Sequence, residues 1–108
     1  MTFQEYEEAA QRTAIYPKIG ESFVYPAMGL AGEAGEVLEK VKKLFRDKPE
    51  RNEEWRIGMA KEIGDVLWYV TILANEFGIS LEEVARLNIE KLASREARGT
   101  LHGDGDDR

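Results

Sequence analysis

Four carboxylates stand out by type and spacing. Glu33 and Glu36 lie in "GLAGEAGEVLEKVKK" (29–43), and Glu62 and Asp65 lie in "KEIGDVLWYV" (61–70). Each pair is three residues apart, which puts both members on one side of a helix. On a helical projection both pairs sit at the lip of an apolar stripe. If their two helices pack antiparallel, the pairs face each other across one groove. At a separation of about 6 Å and an effective dielectric of about 20, each like-charged pair costs about 3 kcal/mol. Acids left in that position raise their own pKa values or splay apart. A hard divalent cation removes the cost. The chain has no cysteine and one histidine, His102, outside the helical pattern, so the ligands are oxygens. Mg²⁺ is then the expected ion, with Mn²⁺ as its substitute, before zinc. The competing reading makes the acids a solvated helix edge, paired with Lys40, Lys43 or Lys61. A di-iron bundle would need Glu-x-x-His twice, and "GDGDD" (103–107) lacks the remaining ligands of a twelve-residue calcium loop.

The elements that must carry these acids are helices. Thr2 and Glu5 have the spacing of a capping box, which starts a first helix at residue 3 that ends before Pro17. Residues 16–26 read as loop. From Ala27 to Arg46, Leu30, Ala34, Val37, Leu38, Val41, Leu44 and Phe45 recur at three and four and define a second helix. "DKPERNE" (47–53) breaks it. The pattern resumes at Trp55 and runs through Ile63 and Leu67 to Phe77, with Gly78 as the stop. Ser80 and Glu83 form a second capping box for a fourth helix ending near residues 95–98. The expected fold is all-α, a four-helix bundle over residues 1–98 with a mobile Gly/Asp-rich tail over 99–108. Four short helices expose too much apolar surface for a monomer, so completion of the bundle by homo-oligomerisation is expected, as a homodimer or homotetramer.

Composition limits the partners. The 108 residues are 43% hydrophobic and 33% charged, a globular balance. A net charge of −6 repels polyanions and anionic lipid, which argues against a nucleic-acid polymer or a membrane as partner. The start of the chain has no apolar signal region, which points to a cytoplasmic location.

The whole pattern, Glu33-x-x-Glu36, a spacer of 25 residues, then Glu62-x-x-Asp65, resembles the MazG-like all-α nucleoside triphosphate pyrophosphohydrolases. The flanking "KEIGDVLWYVTILANEFGISLEEVARLNIEKLASR" resembles them too. The resemblance implies a MazG-like bundle that hydrolyses a (d)NTP between the α- and β-phosphates to (d)NMP and pyrophosphate, in house-cleaning or nucleotide-pool control. It implies that Glu33, Glu36, Glu62 and Asp65 are the catalytic and Mg²⁺-binding residues. Asn88, Lys91 and Arg95 match its N-x-x-K-L-x-x-R run and fall within about 60° of one another on the fourth helix, a face suited to phosphate oxygens. Tyr69 beside the acids, and Trp68, are candidate base contacts, with Tyr16 and Tyr25 behind them. Arg98 and Arg108 are placed to fold over phosphates. Many relatives carry an acid directly before the first motif Glu, where this chain has Gly32, so no residue is assigned as general base. The alternative is a non-catalytic helical module for oligomerisation or nucleotide sensing.

Overall fold

The computed structural model describes residues 1–108 and contains four helices and no strand: α1 (Phe3–Arg12), α2 (Val24–Asp47), α3 (Glu53–Glu76) and α4 (Leu81–Ala97). Both capping boxes read from the sequence mark true helix starts. Thr2 accepts from the Glu5 amide while the Glu5 carboxylate reaches back to the Thr2 amide, and Ser80 accepts from the Glu83 amide. Helix α2 begins at Val24, three residues before the expected Ala27. Pro26 causes no break there, because the first turn of a helix has no intrahelical use for its missing N–H. Gly78, at φ 72°, ends the third helical run as expected, and its left-handed backbone turns the chain into α4.

Helices α2 and α3, 24 residues and about 36 Å long each, form an antiparallel hairpin across Lys48–Asn52. The register is plain in the pairs that meet: Gly29 with Tyr69, Glu33 with Glu62 and Asp65, Lys40 with Gly58 and Glu62. Helix α1 packs against α3 and α4, and α4 touches α1 and α3 but not α2. Glu7 locks this end together: its carboxylate accepts from the Asn75 side chain and from the Leu81 amide, both at 2.8 Å, and so caps the start of α4.

Little of this chain is buried by itself. Only 8 of the 108 residues are, and the largest apolar cluster is Ala10, Tyr16 and Ile72, with Tyr6, Ala14 and Trp68 against it. The radius of gyration is 16.7 Å, where a compact domain of this length has about 13 Å. Stripe residues expected in a core are open to solvent, among them Leu38 at 68%, Phe45 at 77% and Ile63 at 52%. Their periodicity correctly marks an apolar face, but α4 does not reach α2 to cover it.

The segment expected to be mobile, residues 99–108, is laid against α4. Glycines at positive φ, Gly99, Gly103 and Gly105, let it fold back. Arg108 then donates to the carbonyls of Thr100, Leu101 and Gly105, which satisfies a turn backbone that has no ladder of its own.

Candidate metal centre

The α2–α3 hairpin delivers three of the four acids to one point. Carboxylate oxygens of Glu33, Glu62 and Asp65 lie within 4.8 Å of one another, with Glu33 and Glu62 half-buried and Asp65 exposed. Glu36, one turn on from Glu33, stays outside this set and faces solvent. Its charge is still felt: burial first, then the charges of Asp65, Glu36 and Glu62, push the Glu33 carboxyl above the usual carboxylate range. The only cation paired with the set is Lys40, whose Nζ is 3.9 Å from Glu62. One long, half-exposed contact leaves most of the negative charge uncompensated. Hard oxygen donors in excess of local positive charge fit Mg²⁺ or Mn²⁺.

Two tyrosines frame the acids. The Tyr69 ring packs against Gly29, in space that a Cβ would fill at 2.1 Å from its Cε1. Burial, the neighbouring Tyr25 phenol and the charges of Glu33 and Asp65 push the Tyr69 phenol pKa up, so its hydroxyl stays protonated beside the carboxylates. Tyr6 of α1 is raised in the same way, by burial and then by Asp65. No spacing in the sequence tied Tyr6 to the acids, because α1 reaches them only through the tertiary fold. Tyr25 itself stacks on Tyr16 with ring centroids 5.5 Å apart. Tyr16 donates to Glu76, and burial together with that carboxylate pushes its phenol up to about 12.

The remaining residues singled out from the sequence fall elsewhere. Trp68 packs nearly perpendicular to Tyr69 but turns its indole toward α1, where Nε1 donates to Thr13 at 2.9 Å. Asn88, Lys91 and Arg95 share the side of α4 that carries residues 99–108. Lys91 and Arg95 bind Asp106, and within one chain none of the three contacts the acids. The largest cleft, about 840 Å³, lies near the closed end of the hairpin, lined by Lys40, Asn52, Trp55 and Lys61 among others, and none of the four acids lines it.

Residues 26–99 match the model of the MazG nucleotide pyrophosphohydrolase domain. The chain is 47% identical over 109 residues to the Gene 37 protein of Mycobacterium phage L5, covering 95% of this chain and 96% of that one. It is 38% identical over 72 residues to the uncharacterized protein YvdC of Bacillus subtilis, covering 61% and 68% respectively. It is 37% identical over 67 residues to the uncharacterized protein YpjD of the same organism, covering 62% and 60%. No solved structure matches. A four-helix chain with paired acids across its central hairpin, matched over most of its length, belongs to the MazG nucleotide pyrophosphohydrolase family. No helix is long and apolar enough to cross a membrane.

Proposed function

We propose that this chain is a Mg²⁺-dependent enzyme that cleaves (d)NTPs between the α- and β-phosphates, giving (d)NMP and pyrophosphate. The observation that carries the reading is the convergence of Glu33, Glu62 and Asp65 within 4.8 Å with one distant lysine for compensation. Glu33, Glu62 and Asp65 would hold the ion, with Glu36 available from the next turn. When bound, Mg²⁺ neutralises triphosphate charge and lowers the pKa of a coordinated water. The protein's own residues supply position and polarity. Antiparallel packing fixes the carboxylates in register, and the Tyr69 ring wedged on Gly29 holds the spacing between α2 and α3 at that level. The Tyr69 hydroxyl, kept protonated, is a hydrogen-bond donor beside the acids, and the exposed Tyr25 ring offers a surface for a base.

Asn88, Lys91 and Arg95 are assigned to phosphate contacts, and Trp68 to the wall behind Tyr69 at the base end. Because α4 does not reach α2 within one chain, those α4 contacts come from a second copy, in a homodimer or homotetramer. The exposed apolar stripe of Leu38, Phe45 and Ile63 supports that assembly. The setting is cytoplasmic, and the role is removal or balancing of nucleotides.

The test is pyrophosphate release from the eight common (d)NTPs with Mg²⁺, with sedimentation mass measured on the same preparation. Metal-dependent equimolar monophosphate and pyrophosphate are expected, from a species at least twice the 12.3 kDa chain mass. No turnover by metal-replete protein would remove the catalytic reading. Substrate-dependent stabilisation without turnover would identify a nucleotide sensor instead, and turnover by a monomer would remove the second copy.

A further inference from the structure

Two cations of α4 converge on one oxygen of the chain's own segment 99–108. The Asp106 carboxylate Oδ1 accepts from Lys91 Nζ at 2.9 Å and from Arg95 Nη2 at 3.1 Å, and Arg95 also donates to the Asp106 main-chain carbonyl. Burial on the two sides of this contact is unequal. Arg95 is 5% exposed and its Nε has no partner, while the Asp106 side chain is 80% exposed. Arg95 therefore belongs to the folded body, Lys91 stands partly exposed at its edge, and the carboxylate lies on the surface, so Asp106 can leave without opening a core. A cleft of about 400 Å³ lined by Ile79, Val84, Leu87, Asn88, Lys91 and Asp106 adjoins the contact. The segment is closed into a loop by Arg108, as described above, and by Arg98, which donates to the Arg108 carbonyl at 2.7 Å.

A carboxylate on two convergent donors occupies the place of a phosphate oxygen. We propose that residues 99–108 are an autoinhibitory strap that seats Asp106 on Lys91 and Arg95, so that a phosphate-bearing ligand must displace the chain's own carboxylate to use these cations. This rests on the assignment of Lys91 and Arg95 to phosphate contacts. A free carboxylate would compete poorly with a polyphosphate. A tethered one competes at a local concentration in the millimolar range, set by the short loop. Lys91 and Arg95 stay paired in the resting protein and release the strap when a stronger anion arrives.

The test uses inorganic pyrophosphate in metal-free buffer, so that neither the acid centre nor turnover enters. Titration calorimetry compares the full chain with Asp106→Asn and, as control, Asp104→Asn on the same strap. Asp106→Asn is expected to bind pyrophosphate roughly fivefold more tightly, the scale of ion pairing to a carboxylate that is itself exposed, while Asp104→Asn matches the unmodified chain. Equal affinity in all three overturns the proposal, and so does absence of binding by Asp106→Asn. Weaker binding by Asp106→Asn also overturns it, because that is the result for a lid that closes over the ligand. Should Asp106→Asn fail to fold, amide exchange in the unmodified chain decides. Pyrophosphate is expected to speed exchange across residues 100–108, and unchanged protection there overturns the strap. Tighter pyrophosphate binding by Asp106→Asn in a chain that turns over no nucleotide would leave the strap standing and remove the enzymatic reading.

Discussion

Glu33→Gln is expected to lower kcat/KM for the preferred nucleotide by about 10²–10³-fold or more, the range for deleting one preorganised electrostatic group at a reacting centre, while making the metal-free protein more stable. The two effects have one cause. The Glu33 carboxyl is held above its ordinary value of 4.5 by burial and by the charges of Asp65, Glu36 and Glu62. Between that ordinary value and its raised folded value, the folded state binds more protons than the unfolded state, so stability falls as pH rises through the window. Above the window the ionised carboxylate is a standing cost. The glutamine variant never carries that cost, and its metal-free Tm at pH 7 should exceed that of the unmodified chain. Differential scanning calorimetry against pH, with and without Mg²⁺, checks it. The stability difference should vanish as pH falls below the window, where both chains are neutral at this position. An acid at a solvated helix edge would show neither effect, and an acid in a structural ion pair would lose stability.

Gly29→Ala carries the second large effect. A Cβ at Gly29 would lie 2.1, 2.4 and 2.5 Å from Cε1, Cζ and Cδ1 of Tyr69, so the ring must move. It has little room, because the Trp68 ring packs nearly perpendicular to it with centroids 4.9 Å apart. Helix propensity favours alanine by about 1 kcal/mol, but overpacking costs about 1–3 kcal/mol. The expected net loss is up to about 2 kcal/mol, at about 4–8 °C of Tm per kcal/mol for a domain of this size. Activity should fall further than stability accounts for, since the ring spaces the two helices beside Glu33 and Asp65. Gly35→Ala is the internal comparison: nothing lies within 4 Å of its added Cβ, and propensity alone should raise Tm. If Gly29→Ala raised Tm as Gly35→Ala does, the notch would have no packing role.

Local features of this fold were legible in the sequence for local reasons. Thr2 with Glu5 and Ser80 with Glu83 start helices through contacts three residues apart, and Gly78 ends one through its own φ. The two acid pairs were legible because a three-residue spacing is set within each helix, whereas which of the acids meet is set by the antiparallel register and brings together Glu33, Glu62 and Asp65 but not Glu36. What helical periodicity could not supply is what covers each face. Leu38 and Ile63 belong to apolar stripes, yet both are more than half exposed, since no element of this chain is long enough or placed to close over them. Trp68, read from the sequence as a candidate base contact, packs on α1 because α1 crosses α3 at that level. The contact of Asp106 with Lys91 and Arg95 spans up to 15 residues and depends on three glycines turning the chain back, so composition alone read that segment as mobile. Gly29 looked like any helical glycine until the ring of Tyr69, forty residues away, was seen to need its missing side chain.

Mn²⁺ paramagnetic resonance tests most directly whether Glu33, Glu62 and Asp65 form a divalent-cation site. Titrating Mn²⁺ into the unmodified chain should show saturable loss of the free-ion signal, competed by Mg²⁺ and abolished in Glu33→Gln that retains its helical circular dichroism. Equal Mn²⁺ uptake by the two proteins, or none by either, would contradict the account.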